Sequence, residues 1–343
     1  MFVPPAPTIA LRFRKLIVNQ AAWSTLPLVM PPVSGYSFFM VSMMAQIDSA
    51  SATHQGQRRD HNEDFVDKWV PTTPEEEAKH GLIYIVADGV GGADAGEVAS
   101  EYATQQTLKH YLEDSDNPDW GQRIVGAMQA ANTDLRQLVA VRNHNRRMAT
   151  TMVTAVIQGN HVYLANVGDS RGYRWRDGAL QQITKDQSLV AKLVEEGAIT
   201  EEEAENHPRK NVILSSVGSE RRAQIDLFQV TFHPGDILVL CSDGLTRHVS
   251  DIEIGRIVDT QPPETAVDTL INMANERGGE DNISVTLIRQ RAQVDTAVTT
   301  PTEVAASQTN TNTIIENRPA PVIGATAVVT EAPFLWQYTL FLS

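Results

Sequence analysis

The sequence predicts a layered α+β fold, on three observations. A helical pattern follows the glycines at residues 89–92, a second and longer one runs through residues 124–138, and the strand-like segments after them come in succession. A doubly wound parallel sheet needs a helix after each strand, and no such regular alternation runs through this chain. Helices set apart from strands pack instead as separate layers on a sheet.

The individual elements follow from their apolar spacing. Residues 82–87, Leu-Ile-Tyr-Ile-Val-Ala, read as a buried strand running straight into Asp88. Residues 161–167 form a second strand that turns at Gly168-Asp169 into residues 171–175. Residues 236–241 form a third strand and deliver Asp243, and Asp281 opens a fourth over 283–288, whose alternation suits a half-buried sheet. Ala95, Val98, Ala99, Tyr102 and Ala103 share one helical face. Ile124, Ala127, Met128, Ala131, Leu135 and Leu138 form a longer stripe. Thr200 with Glu203, and Ser250 with Glu253, have the spacing of capping boxes that start later helices.

At 343 residues the chain can bury a sizeable core. Its net charge of −14 opposes a nucleic-acid or anionic-membrane partner. A single cysteine, Cys241, excludes an internal disulfide framework and suits a reducing cytoplasm. It ends an apolar run, which predicts a buried, inert thiol.

Four stretches place an aspartate at a strand end or tight turn: Asn62-Glu63-Asp64, Asp88-Gly89-Val90-Gly91-Gly92, Ser242-Asp243-Gly244-Leu245 and Glu280-Asp281-Asn282. Carboxylates gathered in this way repel one another unless a cation lies between them, and hard oxygen ligands select Mg²⁺ or Mn²⁺. Asp88 has a rigid mount at the end of a strand. Gly89 lets the backbone turn so that a main-chain carbonyl also faces a metal. Asp243-Gly244 repeats the strand-then-turn device, and Asp281 and Asp64 complete a ring of hard ligands. Two metals roughly 3.5–4 Å apart activate water and hold phosphoryl oxygens. Arg59, shortly before Asp64, supplies the fork that orients a phosphate dianion, and Asn62 braces the loop between them.

Taken singly, each element has a plainer reading. Asp-Gly is a common turn dipeptide, Arg59 an ordinary surface ion pair, and Gly168-Asp169-Ser170-Arg171 a hairpin turn. Jointly and in this order, with Ala149-Thr150-Thr151 between them, the motifs resemble the metal-dependent protein phosphatases of type 2C in their compact bacterial form. The likeness covers nearly all of residues 47–289.

That resemblance implies a four-layer α-β-β-α sandwich, with two central antiparallel β-sheets flanked by helices and the metals at one end. It implies that Asp88 bridges two Mn²⁺ or Mg²⁺ ions and that Gly89 offers its carbonyl to one. Asp243 and Asp281 bind the other, and Asp64 lies beside them. Asp169 matches the position of a third, weaker ion that Asp243 can share, and Arg59 matches the phosphate-binding arginine. Arg59, Asp64 and Asp88 are thereby the implied catalytic residues. The implied reaction is direct attack of metal-activated water on phosphoserine or phosphothreonine of proteins. The implied partners are a bacterial serine/threonine kinase and its targets, with no nucleic acid and no firm membrane contact. Val90 stands where many eukaryotic members carry a histidine that protonates the leaving group. His61 is a candidate stand-in, with a loop-bracing role as the plainer reading and metal-bound water as the other option. Two rivals are a non-enzymatic relative that binds phosphoproteins or senses metal, and a different two-metal hydrolase. All the expected acidic ligands are present, against the first. Such hydrolases usually mix histidine with carboxylate, and the chain has no histidine-rich motif.

Outside the catalytic domain, expected over 46–291, the chain changes character. Residues 1–45 read as a disordered extension, or as the product of a start codon upstream of the true one at Met40, Met43 or Met44. Asn19, Gln20 and Pro27 break the apolar stretch that would otherwise suggest a secretory signal. Residues 292–343 read as a linker rich in Thr, Ala, Asn and Val, followed by an apolar tail.

Residues 185–210 resemble the family's mobile flap and end on Arg209 and Lys210, a basic pair suited to steering phosphorylated substrates, with a solvated loop as the equally simple reading. Reversing both charges should raise KM for a phosphoprotein while sparing a small aryl phosphate. Steady-state kinetics showing equal effects on both substrates would remove the steering role.

Overall fold

Alternate residues of one central strand face two different cores. In Leu82–Val90, the side chains of Ile83, Ile85 and Ala87 pack into one apolar cluster, and Leu82, Tyr84 and Val86 into another. A strand buried on both faces must lie between two layers, and this requirement organises the whole domain.

The computed structural model describes residues 46–91, 95–141 and 148–292. The expectations for residues 1–45, for the tail from 293 onward and for Gly92 lie outside the described residues. In chain order the elements are β1 (Ile47–His54), β2 (Asp64–Trp69), α1 (Pro74–His80), β3 (Leu82–Val90), α2 (Ala95–Glu113), α3 (Trp120–Val141), β4 (Ala149–Thr150), β5 (Met152–Gln158) and β6 (His161–Val167). They continue with β7 (Arg171–Arg176), β8 (Ala179–Gln182), α4 (Leu189–Glu195), α5 (Glu201–Glu205), β9 (Asp226–Thr231), β10 (Ile237–Cys241), α6 (Asp243–Thr246), α7 (Asp251–Thr260), α8 (Pro263–Glu276) and β11 (Ile283–Gln290).

The strands form two antiparallel sheets. One has the order β1-β11-β10-β7-β8, the other β2-β3-β5-β6-β9, with β4 paired to the end of β3. Between the sheets lie Leu82, Tyr84, Val86, Val153, Leu164, Leu238, Leu240 and Ile288. Helices α2 and α3 cover the outer face of the second sheet through Ala99, Ala103, Ile124, Met128 and Leu135. Helices α7 and α8 cover the first through Ile254, Val258, Leu270 and Ile271. The four-layer α-β-β-α arrangement is therefore present, and both predicted helical stripes are the faces that pack.

Local signals hold where they are self-contained. The Thr200 hydroxyl accepts from the Glu203 N–H at 3.2 Å while the Glu203 carboxylate accepts from the Thr200 N–H at 2.8 Å, closing the box that starts α5. At α7 the Ser250 N–H and hydroxyl both donate to Glu253, at 3.1 and 2.8 Å. Cys241 is fully buried in the α7/α8 core, and burial pushes its thiol up to about 12, so it is inert at neutral pH.

Three expectations require correction, and one plainer reading falls. Strand β3 does not stop before Asp88 but continues through Asp88 and Gly89 to Val90, because β4 adds a pairing partner there. Gly89 is consequently not a turn residue. A Cβ at Gly89 would sit 2.2 Å from the Gly96 carbonyl oxygen and 2.6 Å from that of Glu63, so glycine is needed for close approach. Asp243 likewise opens the short helix α6 rather than a turn, and a Cβ on Gly244 would meet the Asn282 carbonyl oxygen at 1.9 Å. Strand β11 is buried on both faces rather than one, since β1 and β10 flank it between the inter-sheet core and α8. Finally, residues 168–171 are not a hairpin turn: β6 belongs to one sheet and β7 to the other, so this segment carries the chain across the sandwich.

Leu240 is fully buried between the sheets. Leu240→Ala should lower unfolding stability by about 2–5 kcal/mol, read from urea denaturation midpoints. A loss below about 1 kcal/mol would show that the inter-sheet layer is not close-packed there.

Candidate functional site

Strand pairing brings the first two aspartates together: Asp64, the first residue of β2, lies in register with Asp88 near the end of β3. Asp169 follows β6 in the segment that crosses between sheets, Asp243 follows β10, and Asp281 precedes β11. The five carboxylates lie close enough that Asp64, Asp243, Asp169 and Asp281 all act electrostatically on Asp88. The residues predicted from sequence as one site are thus assembled at one end of the two sheets.

A scaffold of short polar contacts holds them. The Ser242 hydroxyl donates to Asp64 Oδ2 at 2.8 Å and accepts from the Ser284 N–H at 3.0 Å, tying β2 to β11. The main-chain carbonyl of Asp88 accepts from the Thr150 hydroxyl at 2.8 Å and the Thr151 N–H at 2.9 Å. Thr151 in turn shares a 2.7 Å hydroxyl contact with Ser170, next to Asp169. Thr150 also exchanges main-chain hydrogen bonds with Val217, at 3.0 and 2.8 Å. Gln187 grips the same region, accepting from the Gly168 N–H at 2.9 Å and donating to Asp226 at 2.8 Å. Both ends of the segment that carries α4 and α5 are therefore fastened beside the carboxylates.

The loop bearing Arg59 is pinned mainly by Asn282. Its amide donates to the carbonyls of Gln55 and His61, at 2.8 and 2.9 Å, and accepts from the Glu63 N–H at 2.8 Å. Asn62 contributes as expected, donating to Thr53 at 2.9 Å and accepting from the Asp64 N–H at 3.2 Å. Gly56 is required at this junction: its φ is +81°, and a Cβ would meet the Asp281 carbonyl oxygen at 2.1 Å. Arg59 itself is 48% exposed and donates to Asp281 Oδ2 at 2.8 Å. Val90 is exposed at the site and offers no proton, and His61 is exposed on the Arg59 loop.

The electrostatics show what this arrangement lacks. Burial, then the neighbouring aspartates, hold Asp88 well above the ordinary carboxylate range. Burial carries Asp64 up to about 7 against the hydrogen bonds from Ser284 and Ser242, with Asp243 and Asp281 adding to the rise. Asp169 also reaches about 7, through burial and then the charges of Asp243 and Asp186. Asp243 is raised by burial, with Arg247 opposing. One oxygen each of Asp64, Asp169 and Asp243 is buried with no hydrogen-bond partner. Buried, unpartnered and mutually repelling carboxylate oxygens fit a hard divalent cation. Among the described residues, no three acidic, histidine or cysteine groups stand in ready chelating geometry. Both the Arg59 and Arg247 guanidiniums engage Asp281 Oδ2, and Arg247 also engages Asp243 Oδ2.

Sequence reasoning missed Arg247 and left Asn282, Ser242, Thr150 and Thr151 without roles. The last four lie within or beside the motif stretches, so adjacency was their only signal. Arg247, four residues after Asp243, had the i,i+4 spacing of a helical ion pair, but no helix was expected to start at Asp243.

A carboxyl that titrates near 7 when folded and near 3.8 when unfolded binds more protons folded than unfolded between those values. Its contribution to stability is present below the lower value and is lost as pH rises through the upper one. In chelator-treated protein the Tm should therefore fall as pH rises from about 5 to about 8, and Asp169→Asn should flatten that fall. Mn²⁺ should raise Tm more at the alkaline end. An unchanged slope in the variant, measured by scanning calorimetry, would exclude carboxylate crowding as the cause.

The comparisons with known proteins agree with this geometry. The sequence profile described as Protein phosphatase 2C matches residues 54–287. The serine/threonine phosphatase stp of Listeria monocytogenes serotype 4b is 38% identical over 245 residues, covering 69% of this chain and 94% of its own length. The protein phosphatase PhpP of Streptococcus pneumoniae is 37% identical over 242 residues, covering 69% and 94%. Among solved structures, the Mycobacterium tuberculosis serine/threonine phosphatase PstP/Ppp superposes with a TM-score of 0.64 at 32% identity, covering 71% of this chain and 99% of that one. The catalytic domain of PstP in complex with two manganese ions gives 0.60 at 32% identity, covering 71% and 97%. Matched in sequence across its described domain and in the layering of its sheets, this chain belongs to the protein phosphatase 2C family.

Proposed function

We propose that this chain is a divalent-cation-dependent protein phosphatase that hydrolyses phosphoserine and phosphothreonine on proteins, with residues 46–291 as its catalytic domain. One observation carries the reading. In a chain of this family, Asp64, Asp88, Asp169, Asp243 and Asp281 converge, and three of them keep a buried oxygen without a partner. Asp64, Asp88, Asp243 and Asp281, with the Gly89 carbonyl, would hold two Mn²⁺ or Mg²⁺ ions, and Asp169 with Asp243 a third, weaker one. Ions bound there lower the pKa of water to supply the nucleophile and neutralise phosphoryl oxygens.

The chain's own residues supply the rest. Ser242 orients the Asp64 carboxylate, and Thr150 and Thr151 hold the main chain that carries Asp88, so a cation would meet donors on a fixed backbone. Arg59 is exposed enough to turn from Asp281 to a phosphate dianion and offer it two parallel N–H groups. Because Asn282 pins its loop on both sides, little loop freedom is lost when phosphate is gripped.

Phosphorylated proteins, and a bacterial serine/threonine kinase that modifies them, are the partners this reading implies. The net charge of −14 opposes a nucleic-acid substrate. No helix among the described residues is long and apolar enough to cross a membrane. The buried lone thiol of Cys241 suits the cytoplasm, where we place the chain.

Purified protein should turn over p-nitrophenyl phosphate and phosphoserine or phosphothreonine peptides with Mn²⁺ and lose the activity to chelator. Asp88→Asn or Asp243→Asn should lower kcat by at least about a hundredfold with an unchanged circular dichroism spectrum. Arg59→Ala should raise KM for phosphopeptides about tenfold or more, the scale of a lost charge-assisted hydrogen bond. Mn²⁺ binding without turnover of any phosphopeptide would instead favour a phosphoprotein-binding relative.

A further inference from the structure

We propose that Arg247 is an internal cation that holds the Asp243–Asp281 carboxylate pair until a divalent ion displaces it, so that the chain sets its own metal affinity by exchanging a guanidinium for a metal. The inference rests on the metal assignment of Asp243 and Asp281 above and adds a residue that weakens metal binding there.

Three observations carry it. The Arg247 guanidinium spans both carboxylates: Nη2 donates to Asp243 Oδ2, and Nη1 donates to Asp281 Oδ2 at 3.3 Å. A planar fork matches two separate oxygens where a point charge would hold one. Next, Asp243 opens the short helix α6 and Arg247 caps its other end, the Arg247 N–H donating to the Asp243 carbonyl at 3.0 Å. The cation is therefore anchored four residues from the carboxylate it occupies and cannot diffuse away. Finally, Asp243 is only half engaged: Arg247 takes Oδ2 while Oδ1 stays buried without a partner. Oδ1 is therefore the oxygen left unclaimed for a metal ion, and Oδ2 becomes available to it only when the guanidinium lets go.

Charge balance fixes the consequence. Asp243 and Asp281 contribute two negative charges, and Arg247 and Arg59 two positive ones, so these four groups balance. A divalent ion entering beside them is attracted less while both arginines stay. Arg59 has its own destination in the substrate phosphate. The Arg247 side chain is 25% exposed and has a long stem, so its head can swing towards solvent while its backbone stays at the end of α6. Metal-ready protein is then only the fraction in which Arg247 has released the pair, and the apparent affinity is reduced by that fraction.

The test is isothermal titration of chelator-stripped full-length protein with Mn²⁺, beside thermal unfolding with and without Mn²⁺. Arg247→Gln should bind Mn²⁺ about tenfold tighter or more at one site, because no lock remains to be opened. It should also unfold at a lower temperature than wild type when metal-free at about pH 8, and the gap should close in saturating Mn²⁺. Arg247→Lys, which keeps a cation but cannot span both carboxylates, should fall between the two. Arg59→Gln removes a positive charge from Asp281 alone and should tighten binding less than Arg247→Gln. Wild-type Mn²⁺ affinity in both Arg247 variants would overturn the proposal, and so would equal tightening in Arg59→Gln, which would point to general electrostatics. A wild-type chain that binds no Mn²⁺ would overturn the metal assignment itself and this inference with it.

Discussion

Mutual repulsion among five aspartates, brought to one end of two sheets and largely withdrawn from water, is the constraint on which the rest of the site depends. Isolated carboxylates on a surface ionise freely, but here burial and proximity raise Asp64 and Asp169 to about 7 and Asp88 well above its ordinary range. Such a cluster is tolerable only if protons, guanidiniums or metal ions share the space. Arg59 and Arg247 supply part of that charge on Asp281 and Asp243. The oxygens they leave untouched are where a hard cation fits.

The fold keeps this unfavourable cluster in place by making every carboxylate the end of something rigid. Asp64 and Asp88 are held by strand register, and Asp243 and Asp281 flank the neighbouring central strands β10 and β11. Those strands are fixed by apolar burial on both faces, at a site far larger than any one carboxylate pair. Around the ends, Ser242, Thr150, Thr151 and Asn282 use hydroxyl and amide groups to stitch segments that are distant in sequence. The Asn282 amide alone engages Gln55, His61 and Glu63. Because Val217 pairs with Thr150, and Thr150 with the Asp88 carbonyl, the segment carrying α4 and α5 is joined mechanically to the most electrostatically loaded aspartate.

Much of this was legible along the chain because it depends on local spacing. The helical stripes of α2 and α3, the capping boxes at Thr200 and Ser250, and the strands leading to Asp88 and Asp243 all rest on residues within a turn or two of each other. The aspartates were legible for a different reason: motifs in a family-specific order carry information that no single Asp-Gly pair does. Errors arose where a local rule was silent about the partner. Gly89 looks like a turn glycine until Gly96 and Glu63 are found pressed against it. Residues 168–171 look like a hairpin until β6 and β7 are assigned to different sheets.

By itself, the amino-acid order determined the strands that lead to Asp88, Asp169 and Asp243, the apolar faces of α2 and α3, the caps of α5 and α7, and the family-specific order of the acidic motifs, since period, capping and motif order are properties of the chain. Only the tertiary structure decided that Arg247 would engage Asp243 and share Asp281 with Arg59, that Asn282 would pin the Arg59 loop, and that glycine at 89 and 244 serves close packing. Those outcomes depend on which distant backbone arrives within about 3 Å, the range over which hydrogen bonds and steric contact act, and sequence spacing carries no record of that distance.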